Sequence, residues 1–267
     1  KAGHKIGSLT VNVIRLSLAV LLLGITTFFT RGFFFPMDAT QYQWFWLGIS
    51  GVVGFFLGDL FLFKSYTVIG SRTAQLIMSL SPMLTALIGW FFLDEKLSVK
   101  SILGIVICVT GIIVAISNRN MKLNIPFKGF LLAFGGALGQ AIGLILSKKG
   151  IGNYDPVAAT QIRALFGLVC FVLFITFLGR WKQVASAFSK KSALKSVTVG
   201  TFFGPFVGVA LSMFAIQHTK TGIASTLMAL VPVFIIWPSA VMFKEKIRVA
   251  QIIGAFISIA GVSLFFL

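Results

Sequence analysis

The chain has 267 residues, of which 57% are hydrophobic and 11% charged, and its formal net charge at pH 7 is +17. Soluble domains are about 45–50% apolar and about 25% charged, and disordered chains are poor in apolar residues, so both classes are excluded. The basic residues lie mostly in short connectors between apolar runs, a pattern that indicates membrane topology and contact with anionic lipid rather than nucleic-acid binding.

Apolar runs of membrane-spanning length follow one another along the whole chain. A helix needs about 20 such residues to cross a hydrocarbon core of about 30 Å. Helices are the expected spans because lipid offers no hydrogen-bond partners to the backbone. Only the connector from Arg180 to Lys195 is long enough to form a surface helix. The nine predicted spans are 11–29, 44–63, 72–93, 99–117, 128–147, 157–178, 197–217, 222–243 and 249–267.

An offset of 150 residues aligns the two halves of the chain. It pairs Pro82 with Pro232, Glu95-Lys96 with Glu245-Lys246, and Gly104 and Gly111 with Gly254 and Gly261. Only the second half has a helix, 128–147, before the helix that contains Arg163, so we expect ten helices in the complete protein, with the first missing here. The expected architecture is all-helical, with two five-helix repeats at 1–117 and 118–267. Because five is odd, the repeats are expected to be inverted, as in secondary transporters.

These features resemble the EamA-like branch of the drug/metabolite transporter superfamily. The resemblance rests on Leu93-Asp94-Glu95-Lys96-Leu97 and Phe243-Lys244-Glu245-Lys246-Ile247, each followed by a glycine-spaced helix, and on Gly58-Asp59-Leu60 and the helices of Arg15 and Arg163. It implies a multi-pass carrier of small organic solutes in the cell inner (plasma) membrane, often an exporter of amino acids or related metabolites. The expected partners are a small-molecule substrate and the lipid bilayer, with a homodimer as a further possibility.

Asp59 is the only acidic residue within a predicted span, and a charge at such a position is costly and commonly functional. It is a candidate for proton coupling or for binding a substrate amine. Its repeat counterpart is Val209, so the symmetric scaffold does not require an acid there. The alternatives are a structural ion pair with Lys64 or Arg72, or a position near the membrane interface.

Arg15 and Arg163 occupy matching positions near the starts of two helices, where they could attract a carboxylate or, alternatively, snorkel to the interface. The other polar candidates could line a solute pathway or form interhelical hydrogen bonds. Two prolines in matching spans are expected to bend their helices and shape a cavity. The further polar candidates are Gln75, Ser79, Gln140, Gln161, Ser225 and Thr226, and the prolines are Pro82 and Pro232.

The sequence predicts a transporter rather than an enzyme, with no metal and no cofactor. His4 and His218 form no ligand set, and a phosphate-binding glycine loop and a catalytic cluster are absent from the sequence. The favoured function is secondary transport by alternating access around a central cavity between the repeats. The alternatives are a carrier or flippase of a lipid-linked or anionic solute, for which Arg163 and Lys148 would line an open groove, and a non-transporting scaffold.

Overall fold

The computed structural model describes residues 7–116, 126–230, 233–234 and 249–264. In these residues the chain forms twelve α-helices, with two π-helical segments, Val52–Gly58 and Phe202–Gly208, each continuing one helix into the next. The helices are α1 Ser8–Arg31, α2 Gln41–Gly51, α3 Asp59–Met78, α4 Ser81–Leu93, α5 Val99–Ile116, α6 Phe127–Ile151, α7 Pro156–Phe177, α8 Trp181–Phe188, α9 Lys191–Thr201, α10 Val209–His218, α11 Thr221–Ala229 and α12 Val249–Ser263.

The predicted all-helical fold class is confirmed for the described residues, and its long apolar helices are consistent with a membrane protein. Six helical stretches are long and apolar enough to span a bilayer, and α5 and α12 contribute shorter apolar helices. The predicted surface helix in the Arg180–Lys195 connector is present as α8. The ten-helix inverted repeat stays a prediction. The six stretches are Ser8–Arg31, Gln41–Ser71, Thr73–Leu93, Phe127–Ile151, Pro156–Phe177 and Lys191–His218.

Two backbone features differ from the predicted spans. Helix α3 continues through the expected connector as far as Gly70, whose φ of 78° is left-handed and breaks the helix between two spans. The predicted span 72–93 is interrupted between Met78 and Ser81, and Pro82 lies in the first turn of α4. Proline is tolerated there because its missing N–H would have no helical partner. Pro232 lies outside the described residues.

The chain forms two compact units. The first comprises Lys1–Leu60 and Leu146–His218, and the second comprises Phe61–Ile145 and Thr219–Leu267. Each unit takes helices from both halves of the sequence. The units therefore differ from the predicted repeats, whose boundary stays a prediction.

In the first unit, α1 and α7 pack against each other in antiparallel directions. A Cβ atom built on Gly167 would lie 3.4 Å from the Leu16 side chain, whereas one on Gly24 would lie 2.9 Å from the Gln161 amide. Contacts thus move forward along α1 as they move backward along α7. Small residues permit this close approach, and the apolar core beside it includes Leu16, Ala19, Leu23, Ala164 and Phe171.

In the second unit, α5 and α12 pack through the glycines that the 150-residue offset aligns. A Cβ atom on Gly111 would lie 2.6 Å from the Gly254 carbonyl oxygen, and one on Gly261 would lie 2.8 Å from that of Gly104. The contacts are reciprocal under the 150-residue offset and again run antiparallel. The Ser258 hydroxyl donates to the Cys108 carbonyl oxygen across this seam, at 3.3 Å. The glycine face of α5 therefore packs against the matching helix of the other half of the sequence.

Candidate functional site

A buried ion pair joins α1 to the start of α3. Asp59, the first residue after the π-helical segment Val52–Gly58, is 4% exposed, and its carboxylate accepts a hydrogen bond from the Arg15 guanidinium. The sequence alternative of an ion pair is therefore correct in kind and wrong about Lys64. The side chain of Arg72 lies outside the described residues. π-Helical segments often occur at functional sites.

Arg163 on α7 is also buried, with 4% of its surface exposed. One of its terminal nitrogens donates to the Met213 sulfur at 3.2 Å, and the guanidinium carbon lies 5.0 Å from the centre of the Phe55 ring. Among the described residues, no group accepts a hydrogen bond from its Nε. A thioether and an aromatic face are weak partners for a cation, although the charge of Asp59 also acts on Arg163.

The position of Arg163 is fixed by close backbone contact. A Cβ atom on Gly51, the last residue of α2, would lie 2.9 Å from both the Cα and the carbonyl carbon of Arg163, and closer still to its carbonyl oxygen. Only glycine permits α2 to approach α7 so closely. The residue before the π-helical segment therefore holds the backbone of Arg163 in place.

The repeat explains why the two arginines differ. Arg15 and Arg163 occupy matching helices, but the counterpart of Asp59 is Val209, the first residue of α10. Met213, which contacts Arg163, lies one turn beyond Val209. In the second half, Arg163 thus contacts α10, which corresponds to α3, but α10 supplies no carboxylate at the position of Asp59. The cluster carries the buried charge of Arg163, the half-buried charge of Arg15 and one negative charge, and burying an uncompensated charge is costly.

Asn12 is a further buried polar residue beside Arg15 and is not among the candidates that the sequence indicates. It is 1% exposed and lies one turn before Arg15 on α1, and within the described part of the chain neither its amide oxygen nor its nitrogen has a hydrogen-bond partner. Its position three residues from Arg15 was the available signal, because that spacing places both side chains on one helix face. Asn12 and Arg15 thus extend the polar surface of α1.

Gln161 lies in the first unit and contacts the segment that follows α1. It is fully buried, and its Nε2 donates to the Phe34 carbonyl oxygen at 2.8 Å. The Thr27 hydroxyl lies 3.4 Å from the Gln161 amide oxygen. The amide therefore fixes the loop between α1 and α2, and its proposed role in a solute pathway stays a prediction.

The remaining polar candidates lie in the second unit. The exposed Gln75 donates to the Tyr66 hydroxyl at 2.6 Å, and the Ser79 and Thr226 hydroxyls donate to backbone carbonyl oxygens three and four residues earlier in the chain. Ser225 accepts a hydrogen bond from Thr85 at 3.2 Å, which links α4 to α11. Their role in solute binding stays a prediction, as does that of Gln140, which is half-buried on α6.

Two polar contacts outside these groups hold connectors in place. The Glu95 carboxylate accepts hydrogen bonds from the backbone nitrogen and the hydroxyl of Thr221, at 2.7 and 2.6 Å. It thereby fixes the start of α11. Asp38 pairs with Arg31 and accepts a hydrogen bond from the Tyr154 hydroxyl at 3.0 Å. Partial burial opposes ionisation of Asp38, but the Tyr154 hydroxyl, a backbone hydrogen bond and Arg31 outweigh it and hold the pKa of Asp38 below its usual value.

Fold and site together define a multi-pass helical membrane protein with a buried, net-positive charge cluster. The model of the EamA-like transporter family matches residues 1–117 and 127–267. The chain belongs to this family, and the resemblance drawn from its motifs is confirmed.

Several relatives of the chain are named transporters. YyaM of Bacillus subtilis strain 168 is 25% identical over 93% of this chain and 81% of its own length. YxxF of the same strain is 33% identical, but the match covers 50% of this chain and 46% of YxxF. A probable amino-acid metabolite efflux pump of Escherichia coli strain K12 is 23% identical over 70% of this chain and 64% of that pump. One solved crystal structure shares the fold, with a TM-score of 0.73 and 17% identity over 99% of this chain and 88% of the other.

Proposed function

We propose that this protein is a secondary transporter, in the cell inner membrane, of small organic solutes that carry a carboxylate. Amino acids and related metabolites are the favoured solutes, and export is the favoured direction. Family membership supports transport in general, and relatives named as probable amino-acid metabolite efflux pumps support this solute class.

The observation that carries the proposal is that Arg163 has Val209 where the matching Arg15 has Asp59. Within the described part of the chain, the contacts of this buried guanidinium are a thioether and an aromatic ring, and the Asp59 carboxylate that acts on it also pairs with Arg15, which favours an anionic ligand. A carboxylate accepts two parallel hydrogen bonds from an arginine, and such paired bonds are strong because both partners are charged. In this proposal the solute carboxylate lies beside Arg163, as the Asp59 carboxylate lies beside Arg15. The carboxylate would also neutralise the excess positive charge of the cluster.

Alternating access remains part of the proposal. Matching helices run antiparallel in both pairs for which contacts are described, α1 with α7 and α5 with α12. This supports the inverted repeats expected from the sequence. Inverted repeats allow one half of a transporter to rock against the other and expose a site to each side in turn.

A carrier of lipid-linked solutes is a weaker alternative. That hypothesis requires Arg163 and Lys148 to line a laterally open groove. Arg163 is 4% exposed, and the Lys148 ammonium donates to the Ile216 carbonyl oxygen. A buried guanidinium is better suited to a small solute that becomes enclosed.

Val209→Asp is the sharpest test because it supplies the missing carboxylate from the protein itself. The purified protein is reconstituted in liposomes, and saturable flux is measured for amino acids, organic acids and carboxylate-free amines. In the wild type, we expect flux only of solutes that carry a carboxylate. In Val209→Asp, an internal ion pair between the introduced carboxylate and Arg163 should compete with the solute and abolish that flux while the protein stays folded.

Val209→Asn is the matched control, since its side chain has nearly the same shape without the charge. It should retain most of the carboxylate flux. Equal flux in Val209→Asp and the wild type, with unchanged KM, would contradict the assignment of Arg163. Saturable flux of carboxylate-free amines alone would contradict the solute class.

A further inference from the structure

The connector around α8 carries a dense set of basic residues without any acid. It joins the spanning helix α7 to the spanning stretch Lys191–His218, so it lies at a membrane surface. Between Asp155 and Glu245 the sequence contains no Asp or Glu. The five basic residues, all exposed, are Arg180, Lys182, Lys190, Lys191 and Lys195.

Helix α8 has the form of a helix that lies flat on a membrane. Val184 and Ala187, three residues apart, are buried, whereas Lys182, the second residue of the helix, is exposed. Aromatic residues stand at both ends, with Trp181 43% and Phe188 59% exposed. Tryptophan at such a place is typical of the lipid headgroup region, where its ring lies among apolar and polar groups.

The inner face of α8 is anchored to α1. Val184 belongs to the core cluster that contains Val13 and Leu16, and Ala187 belongs to the one that contains Val11 and Ile14. The Trp181 indole nitrogen also donates to the Thr176 hydroxyl at 3.0 Å, which fastens α8 to the end of α7. The orientation of α8 is therefore fixed, and its charged side is presented away from the protein core.

We propose that this connector is a binding surface for anionic phospholipid headgroups. The five cations have no acid within the surrounding 89 residues of sequence, from 156 to 244, so neutralising charge must come from another part of the chain or from outside it. An anionic leaflet places phosphates at the level where α8 and its aromatic ends lie. Clusters of four to eight basic residues beside a spanning helix are typical of such contacts. Bound lipid would hold α8 on the part of α1 that precedes Arg15.

The test measures the thermal unfolding midpoint of the purified full-length protein while lipid is added. Phosphatidylglycerol should raise the midpoint at lower concentrations than phosphatidylcholine does. Replacing four lysines with glutamine should increase the phosphatidylglycerol concentration needed for the half-maximal shift by at least about tenfold, since each basic residue near an anionic surface contributes about fivefold in affinity before screening by salt. The replaced lysines are Lys182, Lys190, Lys191 and Lys195.

A matched control removes the same number of charges elsewhere and should leave the response to phosphatidylglycerol close to that of the wild type. An equal loss of the phosphatidylglycerol response in both variants would overturn the assignment, because net charge alone would then explain the response. If inorganic phosphate or dextran sulfate, added in phosphatidylcholine, shifts the unfolding midpoint as much as phosphatidylglycerol does, the connector binds a soluble anion and the assignment to a lipid surface is wrong. Identical responses to the two lipids in the wild type would also overturn it. The control lysines, each exposed and also replaced by glutamine, are Lys64, Lys96, Lys100 and Lys128.

Discussion

Replacing Gly51 with alanine should move the backbone of Arg163 and weaken the protein at the same time. The added methyl group would lie 2.9 Å from two carbon atoms of Arg163, whereas ordinary van der Waals contact begins at 3.4 Å. Helices α2 and α7 must therefore separate by at least about 0.5 Å, because the obstacle is backbone and cannot rotate away. Such overpacking costs about 1–3 kcal/mol.

Gly200→Ala on α9 is the matched control, since a Cβ atom there meets nothing within 4 Å. Both substitutions gain up to about 1 kcal/mol from the higher helix propensity of alanine. The difference between the two variants therefore isolates the steric cost, and we expect Gly51→Ala to be less stable than Gly200→Ala by about 1–3 kcal/mol.

The assay is reversible unfolding in bicelles, followed by flux measurements on the reconstituted variants. Gly51→Ala should also raise the KM for a carboxylate solute because the guanidinium moves with its backbone, whereas Gly200→Ala should not. Equal stability of the two variants would refute the packing argument. A loss of stability with unchanged KM would keep the packing argument and remove Gly51 as a positioning residue for the site.

Two further predictions concern the ion pairs. Asp59→Asn should destabilise the protein by about 3–5 kcal/mol because it leaves the Arg15 guanidinium without its carboxylate. The double variant Asp59→Asn with Arg15→Gln should be more stable than Asp59→Asn alone. Additive losses of unfolding free energy in the two single variants would argue against the pair. Because the pKa of Asp38 lies below its usual value, its stabilising contribution is complete above the unfolded-state pKa of about 4 and is lost as the pH falls through the folded-state value. Tyr154→Phe should flatten this acid-side loss in a pH series of unfolding midpoints, and an unchanged pH profile would exclude the hydroxyl as a cause.

Six of the predicted spans and the helix in the Arg180–Lys195 connector were predictable because each depends on local pattern. Apolar length determines whether a helix can cross lipid, and small residues at helical spacing indicate where two backbones can meet. The same reasoning identified Arg15, Asp59 and Arg163 as candidates, since a charge in an apolar run stands out. The helix extends beyond the predicted span end at 63 as far as Gly70, because the polar residues that precede Gly70 remain helical.

The pairing of the candidates was not predictable from local pattern. Asp59 pairs with an arginine 44 positions earlier in the chain, not with the nearby Lys64. Polar spacing also gave poor guidance for Ser79 and Thr226, whose hydroxyls bond to backbone carbonyl oxygens three and four residues earlier in the chain. A helical serine or threonine can always reach such a carbonyl, so its presence in a span says little about a pathway.

The two halves of the chain are most informative where they differ. The π-helical segments Val52–Gly58 and Phe202–Gly208 recur at the 150-residue offset, which indicates that both belong to the scaffold. Immediately after them the halves diverge, with Asp59 in the first and Val209 in the second, although the matching arginine is kept in both. A purely structural role would favour one acid for each arginine or neither arginine, since a buried charge that must share its acid is poorly compensated. Retaining the arginine without its acid is the arrangement that the proposed solute carboxylate would complete.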